Sequence, residues 1–277
     1  MVLRFGTAGI PTTVSAKKGT AADGVAELKR FGLEAMEMEF VHSTWLKADK
    51  APEFGSLAKK NGVTLTAHGS YYVNLFAKEP EKRAASRARV LEAAIRTAQA
   101  GGYSATFHPA FYFGESSEKV SAAVLEQLKK VEKELKDRGL KVWVRPETTG
   151  KPTQFGTYQE LLALSQELEM TMPCIDFAHL HARTNGKYNT TDEWRTVLTD
   201  VENALGKRGL QEMHIHVSGI AYGEKGEKHH LMLDESDLNY KELLKVWNEF
   251  KIGGVVICES PVMEQDALLL QKTWKRL

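Results

Sequence analysis

Eight times along this chain a short apolar, β-branched run gives way to a longer segment of helical period, and that repetition constrains the fold more than any other feature. The short runs fall at 3–6, 35–40, 63–68, 105–108, 142–146, 172–176, 212–216 and 255–259. Between them the spacing of apolar residues turns from alternation to a period near 3.6. Ser117 precedes a segment that sets Val120, Val124, Leu125, Leu128, Val131 and Leu135 on one face and ends at Gly139, which are the start and stop signals of an amphipathic helix. A second segment, 83–100, carries Val90, Leu91, Ala94, Ile95 and Ala98 on its apolar side and stops at Gly101 and Gly102. A third begins at Thr190, ahead of Asp192 and Glu193, and continues through Trp194, Val197, Leu198, Val201 and Leu205, with a hydroxyl to cap its first turn and carboxylates beside its positive end. Strand–helix–strand units build parallel sheets, and eight of them bring the last strand round to the first, whereas a doubly wound open sheet does not call for eight. The pattern predicts a (β/α)8 TIM barrel, and a barrel of about 250 residues takes up 1–277 as one domain.

Composition bears mainly on what is excluded. Apolar residues at 42% and charged residues at 26% belong to a globular chain and argue against disorder. The opening MVLRFGTAG has no apolar run of the signal-peptide kind, and no stretch approaches the roughly 18 apolar residues of a membrane span, so the expectation is a cytoplasmic protein with no membrane partner. The two cysteines, Cys174 and Cys258, each lie inside an apolar strand-like run and read as core residues, not as a disulfide pair or a thiolate zinc site. A net charge of +1 neither marks nor excludes a nucleic-acid partner, because the distribution of charge decides that.

The position of the ionisable residues at the ends of the runs carries the functional argument. Run three ends TAHGS with His68, run four TFHP with His108, run five RPE with Glu147, run six CID with Asp176, run seven includes MHIHVSG with His214 and His216, and run eight ends VICES with Glu259. In a closed parallel barrel all strand C-termini face one mouth, so these side chains meet there. Imidazoles among several carboxylates suit divalent ions, since carboxylates packed together repel unless cations or fixed donors offset them. Mixed His and carboxylate ligation without thiolate fits zinc, manganese or iron. His179 follows Asp176 by three residues, and Glu227 and His229 stand two apart in GEKGEKHH; with that loop folded over the mouth, these three complete a further ion site.

At this point the segments FGTAGIP, AHGSYYVNL, FHPAF, PETTG, CIDFAHLHA, MHIHVSG, EKHH and CESP, in this order across the whole chain, resemble the endonuclease IV family of apurinic/apyrimidinic (AP) endonucleases, within the xylose-isomerase-like TIM barrel superfamily. The resemblance implies three zinc ions per chain, with Mn2+ or Fe2+ as substitutes. His68, His108 and Glu147 would bind the first; Glu147, Asp176, His214 and Glu259 the second; His179, Glu227 and His229 the third. It further implies hydrolysis of the DNA phosphodiester on the 5′ side of an abasic site, leaving a 3′-hydroxyl and a 5′-deoxyribose phosphate, with Glu259 and Glu147 orienting or deprotonating the attacking water. The partner it implies is double-stranded DNA containing abasic sites, met by a monomer.

Several positions depart from the family pattern. Glu227 stands where the family has Asp, and His216 where bacterial relatives have Asn. His181, His216 and His230 read as structural or supporting histidines. The family inserts side chains, often including an Arg, from the loop after strand two, yet no Arg occurs between Arg30 and Arg83; His42 and Trp45 take that place. Tyr71 and Tyr72 would pack in the minor groove, and Arg183, Lys187, Lys225 and Lys228 would hold phosphates. Two other classes stay open. A sugar isomerase or epimerase on the same barrel needs one ion and only the set Glu147, Asp176, His214 and Glu259. A homologue that has lost turnover would bind abasic DNA without cutting it.

Overall fold

Parallel strands run in a ring in chain order, each followed by a helix that returns along the outside. In the computed structural model, which describes residues 2–277, the strands are β1 (Leu3–Ala8), β2 (Ala35–Glu39), β3 (Thr64–His68), β4 (Ser104–Phe107), β5 (Trp143–Pro146), β6 (Cys174–Asp176), β7 (Met213–Val217) and β8 (Gly254–Cys258). Neighbours pair in parallel from β5 back through β1 and on through β8 to β6. The ring closes between β5 and β6 through the bridges Val144 to Thr171 and Glu147 to Cys174. The eight runs expected from sequence are the eight strands of this (β/α)8 barrel.

Local chemistry sets the helices. Ser116 caps Ser117–Asp137, and Thr157 and Thr190 each form a reciprocal capping box, with Glu160 and Glu193, at the start of Tyr158–Gln166 and Thr191–Gln211, satisfying amides that the helix itself leaves free. Pro80 starts Pro80–Gln99 one turn before the sequence spacing suggested, as suits a residue with no N–H to lose. Gly206, at φ 66°, breaks the helical path within Thr191–Gln211, just past Leu205.

Strand alternation divides the molecule into two interiors of different character. One face of each strand packs on the helices: Leu65, Phe107, Val144, Ile215 and Val256 join Leu128, Val131, Trp194 and Trp247 in the large apolar core. The opposite face lines the barrel, where the separate apolar cluster of buried residues is only Ala35, Val255 and Ile257. The alternate positions otherwise carry buried polar groups, among them Glu37, Thr66, Arg145 and His214. Burying such groups is costly unless each finds a partner. At the strand N-terminal end Arg145 donates to the Pro173 carbonyl at 2.9 Å and to the Glu212 carbonyl, and Tyr103 and Trp143 lie against its guanidinium. That arrangement closes the floor and leaves the chemistry to the other end.

Candidate metal centre

Register determines which inward side chains share a level. β2 and β3 set Glu37 opposite Thr66 and Glu39 opposite His68, and β6 and β7 set Cys174 opposite His214 and Asp176 opposite His216. The level nearest the mouth therefore holds Glu39, His68, Asp176 and His216, joined by His108, Glu147 and Glu259 just past the ends of β4, β5 and β8.

Glu147 occupies the middle of this group. It has no solvent exposure. Its Oε2 is 3.2 Å from His68 Nε2, while Oε1 lies 3.3 Å from His108 Nε2, 3.2 Å from His179 Nδ1 and 3.4 Å from His216 Nδ1. His216 Nδ1 is also 3.4 Å from Glu259 Oε1. Asp176, last residue of β6, accepts from the His179 amide at 2.8 Å and so caps the short helix Phe177–Arg183, which is what holds His179 over the mouth.

The imidazoles are oriented by groups outside the cluster. His68 Nδ1 meets the Gly69 carbonyl at 2.8 Å, His179 Nδ1 the Thr148 carbonyl at 3.0 Å, and His230 Nδ1 the Glu259 carbonyl at 3.0 Å. A carbonyl only accepts, so each Nδ1 carries a proton, which leaves Nε2 as the nitrogen that a cation can engage. His179 Nε2 and His230 Nε2 then face each other at 3.4 Å, an arrangement that needs a cation or an added proton between them.

Four atoms supply the test of fit to metal. Glu147 Oε1, Asp176 Oδ2, His216 Nδ1 and Glu259 Oε2 are buried without a hydrogen-bond partner, and Glu147, Asp176, His216 and Glu259 form a group whose ligand atoms all lie within 4.8 Å of one another. His68, His108 and Glu147 make a second such group, and Asp176, His179, His230 and Glu259 a third. Unsatisfied oxygens and nitrogens of ligand type, gathered this closely, fit divalent cations.

Electrostatics agree with a site built for added positive charge. Burial, reinforced by the charges of Glu259 and Glu147, pushes Asp176 up to about 6 despite nearby His179. Burial and the Glu37 charge push Glu39 up to about 8. Burial opposes protonation of His68, but the hydrogen bond and charge of Glu147 outweigh it and raise the imidazole to about 10. These carboxylates press neighbouring groups to take protons wherever no metal ion supplies the charge.

Two expected ligands lie apart from the groups they were expected to join. His214 does not join Glu147, Asp176 and Glu259: it lies one level deeper, with Nδ1 at 2.9 Å from Ser104 Oγ and Nε2 at 3.1 Å from Glu37 Oε2, and burial lowers it to about 4. His216 stands at the mouth instead. Both point inward because they are two residues apart on one strand, but only His216 is level with Asp176. His230 and not His229 faces His179, for a different reason. The hairpin Gly219–Gly223 with Gly226–Leu231 pairs Ala221 with His229 and Tyr222 with Glu227, leaving Lys228 as an extra residue. Such a bulge shifts the alternation by one, so Glu227 and His230 turn toward His179 while His229 is exposed. Glu227 Oε2 is 3.7 Å from His179 Nε2. The hairpin docks this closely because residue 150 is glycine: a Cβ there would meet Glu227 Oε2 at 2.5 Å.

Sequence reading also passed over Glu37 and Glu39. AMEME in β2 spaces two glutamates by two, a signal that both face the same way, and in a barrel strand with apolar Met36 and Met38 outside, that way is in. Glu37 accepts from Thr66 at 2.7 Å and lies 2.9 Å from His216 Nε2, so it supports His216 from below. The two cysteines are free and buried; Cys258 lies in the apolar core as expected, whereas Cys174 faces the barrel interior and forms with His214 and His216 a further group of ligand type within 4.8 Å.

Among the expected DNA-contact residues, His42, Tyr71, Tyr72, Lys187, Lys225 and Lys228 are exposed. His42 and Tyr71 form an edge contact, with ring centroids 5.9 Å apart. Trp45 is 43% exposed but is tied to the Glu39 carbonyl at 3.1 Å and packs on Phe40 and Phe54. Arg183 is turned away from any phosphate: Nη1 donates to Thr149, to the Lys151 carbonyl at 2.6 Å and to the Gln154 carbonyl at 2.8 Å. It braces the loop after β5. A cavity of roughly 1270 Å3 opens at the other end of the barrel, beside Arg4, Tyr103 and Trp143, and takes in none of the mouth residues.

Residues 25–276 match the family model described as xylose isomerase-like TIM barrel. The chain is 40% identical over all 277 residues to an uncharacterized protein of Methanocaldococcus jannaschii, of which it covers 98%. Among solved structures it is similar to endonuclease IV from Thermus thermophilus, with a TM-score of 0.73 at 22% identity over 99% of this chain and 98% of that one. It is similar also to a D-tagatose 3-epimerase-like protein, with a TM-score of 0.72 at 16% identity over 100% and 96% of the two chains. Both structural likenesses bear on the fold, and the choice between their chemistries falls to the residues at the mouth.

Proposed function

Because the chain belongs to the xylose isomerase-like TIM barrel family, whose fold serves more than one chemistry, we propose from its mouth residues that it is a metal-dependent phosphodiesterase of endonuclease IV type, cutting DNA on the 5′ side of an abasic site. One observation carries this reading: Glu147 is shared between two ligand groups, with His68 and His108 on one side and Asp176, His216 and Glu259 on the other. A single-ion isomerase needs only the second group as ligands, so the first group is what favours more than one ion.

Bound divalent ions, expected to be zinc and about three in number, would supply Lewis acidity toward the phosphate oxygens and make a water molecule nucleophilic near neutral pH. The remaining work falls to the chain. Glu147 ties the two groups together; His68, His108, Asp176, His216 and Glu259 complete them, and His179, His230 and Glu227 hold the third position. Glu259 is suited to orient the attacking water and accept its proton, since its Oε2 is buried and free of other hydrogen bonds while the residue is not fully enclosed. Glu147 is the second candidate for that role. An abasic nucleotide is cheaper to turn out of a duplex than an intact one, which favours its entry into the mouth. Tyr71 and Tyr72 on the rim, with Lys187, Lys225 and Lys228, are available to meet the duplex.

The rival reading, a sugar epimerase, needs only the group Glu147, Asp176, His216 and Glu259, and predicts about one ion per chain. An end-labelled duplex carrying one tetrahydrofuran abasic analogue tests the proposal. We expect a cut immediately 5′ of the analogue, abolished by a strong chelator and by Glu259→Gln. An intact duplex would count against the nuclease, and full rate in Glu259→Gln would remove the role given to that carboxylate.

A further inference from the structure

The exposed aromatic side chains are not scattered. Among the described residues the large apolar side chains that are exposed are Val2 and Leu277 at the chain ends, and Trp45, Tyr71, Tyr72, Phe111 and Phe113. These last five belong to the loops after β2, β3 and β4, along one arc of the mouth. Trp45 is held by the packing already described; Phe111 and Phe113 are not.

Phe111 lies three residues beyond His108, within about 10 Å of chain. Its ring stacks on that of Phe113 at a centroid distance of 5.8 Å and an interplanar angle of 30°, with Phe111 37% and Phe113 52% exposed. The residue between them does the opposite. Tyr112 turns in, its hydroxyl donating to Glu160 at 2.7 Å and receiving Arg183 Nη2 at 3.4 Å, and Ala110–Phe111 pairs with Gln154–Phe155. The loop backbone is thus anchored while two phenyl rings are held out into solvent. Phe113 has φ of 52°, an unfavourable region for a bulky residue, and such outliers persist where the surroundings impose them and cluster at functional sites. Lys78 Nζ, from the loop after β3, sits 5.9 Å from the centre of the Phe113 ring.

Solvent-facing aromatics with a cation beside them, next to a site for phosphodiesters, match the way single-stranded nucleic acid is held: bases stack on rings while ammonium groups meet the backbone. We propose that Phe111 and Phe113, with Lys78, form a stacking platform for an unpaired nucleobase of the strand under attack, so that the preferred substrate is unstacked or single-stranded on the side facing the loop after β4. This rests on the nuclease reading for its substrate class. It adds a contact outside the ligand groups.

The experiment compares wild type with the double variant Phe111→Ala/Phe113→Gly, both reconstituted with zinc; glycine keeps the left-handed backbone at 113. Fluorescence anisotropy with a fluorescein-labelled 12-nucleotide single strand reads the platform, and hydrolysis of bis(p-nitrophenyl) phosphate reads the metal centre. We expect Kd for the oligonucleotide to rise roughly 5- to 150-fold per lost stacked base with ester hydrolysis unchanged. A change within twofold overturns the platform, as does a wild-type protein that hydrolyses the ester yet fails to bind the single strand. A wild type that binds the oligonucleotide through these rings but hydrolyses no phosphodiester keeps the platform and removes the nuclease reading instead.

Discussion

Two histidines on β7 face the same interior, and a step of two residues decides which one stands level with Asp176. His216 Nε2 lies 2.9 Å from Glu37 Oε1 while its Nδ1 is turned to Glu147 and Glu259. A carboxylate behind an imidazole fixes the ring and raises its basicity, which favours ligation by the opposite nitrogen. His214 Nδ1 meets Ser104 and its Nε2 lies 3.1 Å from the same Glu37, so both nitrogens face groups other than Glu147, Asp176 and Glu259. His216→Ala is therefore expected to lose bound metal and activity, measured by elemental analysis and cutting rate. His214→Ala should retain its ions while losing about 1–3 kcal/mol of stability in denaturant unfolding, because Glu37 and Ser104 lose a buried partner. Metal loss in the His214 variant with retention in the His216 variant would restore the ligand set expected from sequence.

At the level of elements, hydrophobic period and terminal signals make strands and helices readable along the chain, because each is set by neighbours within a few residues. The Thr190 cap and the run of inward polar residues at strand ends are legible in this way, and the latter was enough to gather His68, His108, Glu147, Asp176 and Glu259 at one mouth. The cap before Ser117–Asp137, in contrast, is Ser116, one residue ahead of the start read from sequence. The level at which strands face each other is not local: whether Asp176 meets His214 or His216 depends on the pairing of β6 with β7. A bulge is hidden for the same reason. Lys228 becomes the extra residue only because Tyr222 pairs with Glu227 and Ala221 with His229 across the hairpin. The consequence is testable: His230→Ala should reduce metal content, while the exposed His229→Ala should leave both content and activity within about twofold. The reverse result would mean that the hairpin pairs without the bulge when metal is present.

The molecule as a whole concentrates its unsatisfied polar chemistry at one end. Arg145 and its carbonyl partners close the floor, the apolar core lies between strands and helices, and no helix among the described residues is long and apolar enough to cross a membrane. Carboxylate oxygens buried at Glu147, Asp176 and Glu259 without a hydrogen-bond partner are costly in the absence of cations, so chelation should lower Tm as well as activity; ions present at 100 times their Kd contribute about 2.7 kcal/mol. Counting the ions addresses the central claim most directly. Elemental mass spectrometry of purified, zinc-reconstituted protein should find about three ions per chain, falling when His68 or His230 is replaced by Ala. A value near one, unchanged by either replacement, would contradict the shared-ligand centre and favour the single-ion epimerase.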